Sequence, residues 1–326
     1  MRVHRGLVFW GLALVTAGAM ALAITQGYLD RAATSNLWRL WPLILVAIGV
    51  AIIAARTPFA LLGSALAAIT IGAIAGTAVA LGPGVAFFCG GGDDLATSVT
   101  RSGTFGDSAT LEWNFNCAST EVSTTSGAGE WTVSYGTDSA QPSVAGGSDS
   151  LSLHSSGQGG FPGNDREHWV VTLPTPTVYH PDILVNGGSL TMDLGHGDFQ
   201  GFHLQTNAAD VRMDLTEANA SSAFPGIDFH LNAGKLVIIT NDSGASIEGN
   251  VEANAGSVIL CAPANAPLRI TASGTAFGTN LDNSDLQRTG DTWESAAYAN
   301  ANPNQTITLT VRGNASSFDL NPEEGC

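Results

Sequence analysis

The stretch at residues 193–203, DLGHGDFQGFH, is the richest in side chains that could do chemistry. The imidazole and carboxylate groups of His196, Asp198 and His203 are of the kinds that bind zinc and other transition metals. The other interpretation is structural. Glycines on both sides of His196 indicate a corner of the chain, and His203 matches Asp228 in a neighbouring repeat as a surface pair. We favour the structural interpretation and predict no metal and no cofactor.

Asp193 and Asp214 offer a different chemistry, because two carboxylates about 5 Å apart can cleave a glycoside with retention of configuration. They occupy equivalent places in the stretches NGGSLTMDL and NAADVRMDL, whose strands would lie about 5 Å apart. Later stretches carry Ile239 and Cys261 at this place. The sequence has no nucleophile-elbow, phosphate-loop, zinc-protease or dinucleotide-binding motif. We therefore predict that the protein is not an enzyme and has no catalytic residues.

The two stretches belong to a repeat of about 22 residues. Each copy begins with Asn and two Gly or Ala residues, at Asn186, Asn207, Asn232 and Asn254, with spacings of 21, 25 and 22 residues. The fourth and sixth residues after each Asn are apolar, as on the inner face of a strand. These residues are Leu190, Val211, Leu236 and Val258, and then Met192, Met213, Ile238 and Leu260. The period predicts a β-solenoid with a column of hydrogen-bonded Asn side chains. Chance similarity within a Gly- and Ala-rich β-sandwich is the alternative.

The outer face of the repeat changes from polar to apolar along the chain. The outward positions are polar in the first two copies, but the third copy has Val237 and Ile239 there and the fourth has Ile259. Apolar residues on the outside of a sheet need a cover. Residues 306–313, with the SSFDLNP stretch that follows them, or another protein would supply it. Val237, Ile239 and Ile259 are therefore a candidate interaction face.

The four cysteines are Cys89, Cys117, Cys261 and Cys326. None of them forms a CxxC pair, which argues against a zinc site of the usual spacing. An even number of cysteines in an exported domain suggests disulfides, and three pairings are open. We favour Cys89–Cys117 and Cys261–Cys326, because the second bond would hold the C-terminus over the apolar outer face.

These elements belong to a chain of 326 residues whose two parts differ in charge. Residues 1–88 contain five Arg and one acid, whereas residues 89–326 contain seven basic residues and 27 acids, so the formal charges are +4 and −20. Nucleic acid is not an expected partner, because phosphate binding needs clusters of Lys and Arg. Short alternating runs bounded by turn residues predict a Gly/Ser/Thr-rich β region at 89–165 and the solenoid at 166–326.

Residues 1–88 contain three apolar stretches that predict transmembrane helices. Their ranges are about 6–24, 38–55 and 59–81. Each approaches the roughly 20 residues that cross a bilayer. A cleaved signal peptide is the alternative for the first stretch, but two further stretches follow it directly.

The flanking and interior residues of these stretches indicate orientation and role. Arg residues before the first stretch and between the second and third favour a cytoplasmic N-terminus, which places the acidic part outside the cytoplasm. If the third stretch did not cross, the acidic part would be cytoplasmic. The apolar runs 6–24, 40–55 and 59–81 contain no ionisable residue, which argues against a transporter or an ion pathway. Small residues of the third stretch, including Gly63, Gly72 and Gly76, predict close packing against other membrane helices, of this chain or of a partner.

The N-terminal sequence resembles the membrane module of the bacterial LiaI/LiaF-like envelope-stress proteins. The resemblance lies in an apolar helix, a short loop, and then LWPLIL at 40–45 with Ile48-Gly49 after it. Residues from HWVVTLP at 168–174 to NAADVRMDL at 207–215 resemble the adhesin-like (toastrack) β-repeat domains often fused to that module. The resemblance implies a non-enzymatic bacterial envelope protein with no family active-site residues. Residues 89–165 are longer and richer in Ser and Thr than it implies, which leaves the partner open.

The predicted protein is therefore a multi-domain membrane protein with a three-helix transmembrane anchor in the bacterial inner membrane and an extracytoplasmic all-β domain. We expect a structural or interaction subunit, a scaffold or an accessory component of a larger membrane complex. One alternative is a LiaF-like signalling regulator that restrains a membrane kinase, and another is a surface adhesin. A hydrolase that uses Asp193 and Asp214 is a third.

Overall fold

The structure is a computed structural model, and the chain divides into two compact units, Met1–Phe87 and Phe88–Cys326. The residues that it describes are 5–25, 68–73, 97–126, 129–137, 141–156, 166–175, 177–218, 223–240, 246–302, 305–323 and 325–326. The second unit is called the β-domain below.

The first unit contains a helix α1 (Arg5–Thr25) and a helical segment at residues 68–73. Gly72 in that segment lies against α1, because a side chain there would collide with the Ala13 carbonyl and with Thr16. This predicted small residue therefore packs within its own chain. Neither described helical segment combines the length and the hydropathy that a membrane-spanning helix needs. The predicted helix at 38–55, most of that at 59–81, Gly63 and Gly76 lie outside the described residues.

The β-domain consists of two facing sheets. The ten-stranded sheet contains β1 (Val99–Thr104), β3 (Ala118–Thr125), β4 (Glu130–Thr137), β7 (Glu167–Pro174), β9 (Gly188–Asp193), β12 (Ala209–Asp214), β14 (Gly234–Ile239), β16 (Gly256–Cys261), β18 (Gly278–Thr279) and β22 (Ser317–Leu320). The twelve-stranded sheet contains β2 (Ser108–Phe115), β5 (Ser143–Gly146), β6 (Ser150–His154), β8 (Val178–Val185), β10 (Asp198–Phe199), β11 (His203–Thr206), β13 (Ala223–Leu231), β15 (Ser246–Ala253), β17 (Leu268–Gly274), β19 (Gln287–Thr289), β20 (Thr292–Glu294) and β21 (Ile307–Gly313). Short 3-10 helices at Leu281–Asn283 and Tyr298–Asn300 lie between later strands.

The chain alternates between the two sheets, so that one strand of each sheet makes one coil. Along the stack the coils are β6/β7, β2/β3, β8/β9, β11/β12, β13/β14, β15/β16, β21/β22 and β17/β18. Neighbouring coils pair in parallel, with Leu190 beside Val211 and Met192 beside Met213. All eight predicted inward residues are buried, at most 2% exposed. The repeat is therefore the pitch of a two-sheeted coil, and the mostly-β prediction for this part of the chain is confirmed.

Both ends of the stack depart from sequence order. The coil β2/β3 is inserted between β6/β7 and β8/β9, and β21/β22 is inserted between β15/β16 and β17/β18. Antiparallel strands finish each end, with β4 and β1 beyond β7, β5 beyond β6, and β20 and β19 beyond β17. The predicted division at residue 165 therefore separates no structural units, because strands from both sides of it share the same sheets.

One hydrophobic core fills the space between the sheets. Part of it is a stack of aromatic rings, in which Phe199 lies 5.3 Å from Tyr179 and 5.6 Å from Phe224 between ring centroids. The rings of Phe199 and Phe224 are within 8° of parallel. Because the inner rows are packed in this way, we look for chemistry at the surfaces of the described residues, on the outer sheet faces, at the corners and at the ends of the stack.

Candidate functional site

A ladder of asparagine side chains follows one corner of the coil. Five bonds join six side chains, and in each bond the Nδ2 of one Asn donates to the Oδ1 of the Asn in the preceding coil at 2.6–3.0 Å. The members are Asn116, Asn186, Asn207, Asn232, Asn254 and Asn314. The repeat contained the middle four, whereas Asn116 and Asn314 belong to the inserted coils, whose sequence spacing breaks the period. The amides satisfy one another, so the ladder stabilises the corner and is not a ligand site.

The two carboxylates considered from the sequence lie side by side, but each accepts hydrogen bonds from the turn that follows its own strand. Asp193 and Asp214 are partners in the register of β9 and β12. Asp193 Oδ1 accepts from the Gly195 amide at 3.5 Å, and Asp214 Oδ1 accepts from the Thr216 amide at 3.0 Å and its hydroxyl at 2.6 Å. Each carboxylate therefore caps its own corner, and these contacts provide no general acid.

The metal trio considered from the sequence is not assembled. His196 Nε2 lies 2.7 Å from Glu217 Oε2, on an exposed corner. Asp198 is half-buried on β10, and its Oδ1 has no hydrogen-bond partner. Among the described residues, the group whose ligand atoms come together includes His203 but neither His196 nor Asp198. The spacing in the sequence was misleading because the corner turns His196 away from the row that holds His203.

A row of histidines and carboxylates lies on the outer face of the twelve-stranded sheet. His203 Nδ1 lies 3.6 Å from Asp228 Oδ2, and His230 Nε2 lies 3.3 Å from Asp228 Oδ1. His230 Nδ1 lies 3.4 Å from Glu252 Oε2. In the described part of the chain, His203, Asp228 and His230 form the one group that could hold a metal, with ligand atoms within 4.8 Å of one another. His230 and Glu252 were not among the residues predicted from the sequence, although His230 follows Asp228 by the two residues that return a strand to the same face.

The candidate interaction face is covered by the protein's own C-terminus. Val237, Ile259 and Cys261 are each 6% exposed and form a small cluster with Ile239 beside it. Cys261 forms a disulfide with Cys326. Of the two covers that the sequence left open, the structure contains the intramolecular one, together with the Cys261–Cys326 bond that we favoured. The alternative, in which Val237, Ile239 and Ile259 form a face for another protein, is corrected.

The C-terminal tail that we expected Cys326 to hold here is the cover, whereas residues 306–313, the other part of the expected cover, are not. Residues 307–313 form β21 inside the twelve-stranded sheet, between β15 and β17. The tail is fixed by Asn321, whose Oδ1 accepts from the Ala262 amide and whose Nδ2 donates to the Ala262 carbonyl, both at 2.7 Å. Cys117 is also in a disulfide, and its predicted partner Cys89 lies outside the described residues.

Two ionisable groups elsewhere have structural surroundings. Glu167 is 1% exposed and accepts from the Ser155 hydroxyl, from the amide and hydroxyl of Ser156, and from Trp169 Nε1, at 2.5–3.1 Å. Partial desolvation raises the pKa of Asp210, and the Lys235 ammonium beside it opposes that shift. The donors around Glu167 satisfy its carboxylate, and Asp210 faces the Lys235 ammonium, so both carboxylates have structural partners.

A cleft of about 620 Å³ lies beside the last coil. Its lining is mostly Ala, Asn and Ser from residues 262–266, 280–286 and 295–297, and Asp285 is its one ionisable residue. One carboxylate without a base, nucleophile or oxyanion donor beside it does not make a catalytic site.

Residues 8–53 match the family model described as the LiaI-LiaF-like transmembrane region. The predicted resemblance of the N-terminal part is therefore confirmed, and the chain carries a membrane-associated region of this type. No curated protein matches the chain.

Two solved structures are similar to the chain. One is a "putative cell adhesion protein" from Clostridium sporogenes, with 13% identity and a TM-score of 0.44, covering 68% of this chain and 98% of that one. The other is a "putative adhesin" from Bacteroides fragilis, with 12% identity and a TM-score of 0.28, covering 68% of this chain and 96% of that one. Their names agree with the predicted adhesin-like resemblance, but TM-scores below 0.5 carry no argument about function.

Proposed function

We propose that this protein is a non-enzymatic, membrane-anchored interaction subunit, an accessory component of a larger membrane complex in the bacterial inner membrane. The observation that carries the proposal is the joining of a LiaI-LiaF-like transmembrane region to a rigid, acidic two-sheeted coil. The polar groups that looked catalytic cap corners or hold strands together, so the coil offers surfaces more than reactive groups.

The β-domain lies outside the cytoplasm in this proposal. Its support is the disulfide between Cys261 and Cys326 and the disulfide at Cys117, because such bonds persist mainly in oxidising compartments. Alkaline phosphatase and fluorescent-protein fusions to the C-terminus would test this placement. Active phosphatase with a dark fluorescent protein is expected, and the reverse result would place the domain in the cytoplasm.

The partner in this proposal presents a basic or hydrogen-bond-donating surface. Residues 89–326 carry a formal charge of −20, and acidic side chains such as Glu112 and Asp182 stand exposed and adjacent on the twelve-stranded sheet. Complementary charge would steer and orient such a partner, and the contact would weaken as salt rises. The same charge disfavours nucleic acid.

The test is capture of the full-length tagged protein from crosslinked membranes in a mild detergent, followed by mass spectrometry. A stoichiometric partner supports the interaction subunit. A kinase recovered in substoichiometric amounts would instead support the signalling regulator, which the LiaI-LiaF-like match favours as the second candidate. Loss of cell attachment on deletion, with no stable partner, would support the adhesin.

A matched pair of variants sharpens this test. Glu112→Gln with Asp182→Asn removes charge from the outer face of the twelve-stranded sheet, and Glu121→Gln removes an exposed charge from the ten-stranded sheet. We expect the double variant to lower partner recovery and Glu121→Gln to leave it unchanged. Equal recovery from all three proteins would argue against an electrostatic contact on this face.

A further inference from the structure

We propose that His203, Asp228 and His230 form a binding site for a divalent transition metal on the outer face of the twelve-stranded sheet. The site lies on two neighbouring coils and goes beyond the proposed interaction role, since neither depends on the other.

Strand geometry places the three side chains together. β11 and β13 are parallel neighbours in which His203 is the register partner of Asp228. His230 follows Asp228 by two residues, so it returns to the same face of β13. Between them, Phe229 is fully buried and points into the core. The arrangement therefore follows from the backbone register, and no unusual conformation is needed to bring the ligands together.

The distances place the three side chains within reach of one ion. Zinc bonds of about 2.0–2.2 Å in a tetrahedron place neighbouring ligand atoms about 3.3–3.6 Å apart. His203 Nδ1 lies 3.6 Å from Asp228 Oδ2, and His230 Nε2 lies 3.3 Å from Asp228 Oδ1. One ligand atom from each of the three residues lies within 4.8 Å of the others, so a small side-chain movement would bring the set to this spacing.

Glu252 provides the outer support that a metal-binding histidine usually has. With a metal on His230 Nε2, the Nδ1–H of the same ring points to Glu252 Oε2, which is 3.4 Å away. Such carboxylate–histidine–metal arrangements fix the tautomer and orientation of the ring. Glu252 is therefore a positioning residue for this site.

The ligand set selects the class of ion. Two imidazole nitrogens and one carboxylate suit Zn²⁺, Co²⁺, Ni²⁺ or Cu²⁺, whereas Mg²⁺ and Ca²⁺ prefer oxygen ligands. The side chains of His203, Asp228 and His230 are 41%, 48% and 39% exposed, so an ion can enter from solvent. Three protein ligands leave one tetrahedral position facing outward.

The experiment is calorimetric titration of full-length protein with ZnCl₂, after purification in detergent on a tag without histidine and removal of metal with EDTA. We expect one Zn²⁺ per chain at this site. His203→Gln, Asp228→Asn and His230→Gln should each weaken it by more than 100-fold, and Glu252→Gln should weaken it by about 10–100-fold, the usual effect of losing an outer-shell partner. Co²⁺ should give visible absorption bands of tetrahedral coordination in the wild type and lose them in His230→Gln.

His196→Gln is the matched control, because His196 forms a histidine–carboxylate pair with Glu217 on a different corner and outside the metal group. It should bind Zn²⁺ like the wild type. All variants should keep the urea midpoint of the metal-free wild type, since the substituted side chains are partly exposed.

The proposal is wrong if the wild-type protein binds no Zn²⁺, or if His230→Gln binds Zn²⁺ as well as the wild type does, because the row would then be only a set of ion pairs. An equal loss in His196→Gln would show unspecific surface binding. Either result overturns the site while leaving the partner-capture test untouched.

Discussion

The asparagine ladder allows a direct test of the coil, because its members make different numbers of bonds. Asn207 donates to Asn186 at 2.6 Å and accepts from Asn232 at 2.7 Å. Asn314 stands at the end of the ladder and donates to Asn254 at 3.0 Å. We therefore expect Asn207→Ala to destabilise the β-domain clearly more than Asn314→Ala does.

The expected free-energy losses follow from the bonds removed. One protein hydrogen bond contributes about 1 kcal/mol net, and an amide left without its partner adds part of its desolvation cost. Asn207→Ala removes two bonds and should lower the free energy of unfolding by about 2–3 kcal/mol. Asn314→Ala removes one bond at an exposed position and should cost about 0.5–1 kcal/mol. Neither residue has a positive φ, so alanine fits the backbone at both positions.

The assay is urea unfolding of the full-length protein in detergent, followed by tryptophan fluorescence. Trp113, Trp131 and Trp169 are at most 4% exposed and report the β-domain core. Asn250→Ala, at an exposed position of β15, serves as the control and should stay within about 0.5 kcal/mol of the wild type. If Asn207→Ala loses no more free energy than Asn314→Ala, the ladder does not stabilise the coil and the reasoning is refuted.

Three further substitutions test other parts of the β-domain in the same assay. Glu167→Gln puts an amide where a buried carboxylate accepts from Ser155, Ser156 and Trp169. It should lower the free energy of unfolding by about 3 kcal/mol, and a decrease below about 1 kcal/mol would contradict the inferred network. Cys326→Ser removes a disulfide across 65 residues and should lower the free energy of unfolding by about 2–4 kcal/mol. It should also increase the binding of an apolar fluorescent dye, and unchanged dye binding would show that the tail does not cover the apolar face. Gly234→Ala should cost more than about 1 kcal/mol, because Gly234 has φ +116° and a Cβ there would collide with a backbone carbonyl; an unchanged urea midpoint would refute this strain.

The inner part of the coil could be predicted from the sequence because periodicity acts there directly. Each inward position must bury an apolar side chain beside the same position of its neighbour, so Leu190, Val211, Leu236 and Val258 recur at nearly constant spacing. Asn recurs at the corner for the same reason, since each amide needs the next. These constraints are local to one coil and its neighbour, and a period in the sequence reports them.

The ends of the stack could not be predicted from periodicity, because they are made by pairing between distant segments. β2 lies beside β8 and β6, and β21 lies between β15 and β17. A coil at the end of a solenoid would expose unpaired backbone and one apolar side, so insertion and antiparallel strands close it. Such closure leaves no fixed spacing. For the same reason the sequence placed residues 306–313 over the apolar patch, whereas the structure puts them in the sheet.

The histidine row was missed for a different reason. Outer positions of a coil are free to vary, so chemistry there is not repeated and gives no periodic signal. His203 was matched to Asp228 by the repeat, but the third ligand is found only by combining the two-residue strand period with the register between β11 and β13. A search for ligands within one contiguous stretch favours His196 and Asp198 instead. The corner separates His196 from His203, and Asp198 lies beside Val178 of β8 whereas His203 lies beside Asp182.

The two outer sheet faces also differ in what remains available to a partner. On the ten-stranded sheet, the apolar positions of β14 and β16 are already covered by the tail, which the Cys261–Cys326 disulfide holds in place. On the twelve-stranded sheet, the outer rows carry exposed or half-exposed carboxylates and histidines from Glu112 and Asp182 through Asp228 and His230. A partner gains no binding energy from an apolar patch that the tail already covers, whereas a partner of opposite charge can still bind an exposed row of charged side chains. The partner is therefore expected on the twelve-stranded sheet. Removing charge there should lower partner recovery, whereas removing the charge of Glu121 on the ten-stranded sheet should leave it unchanged.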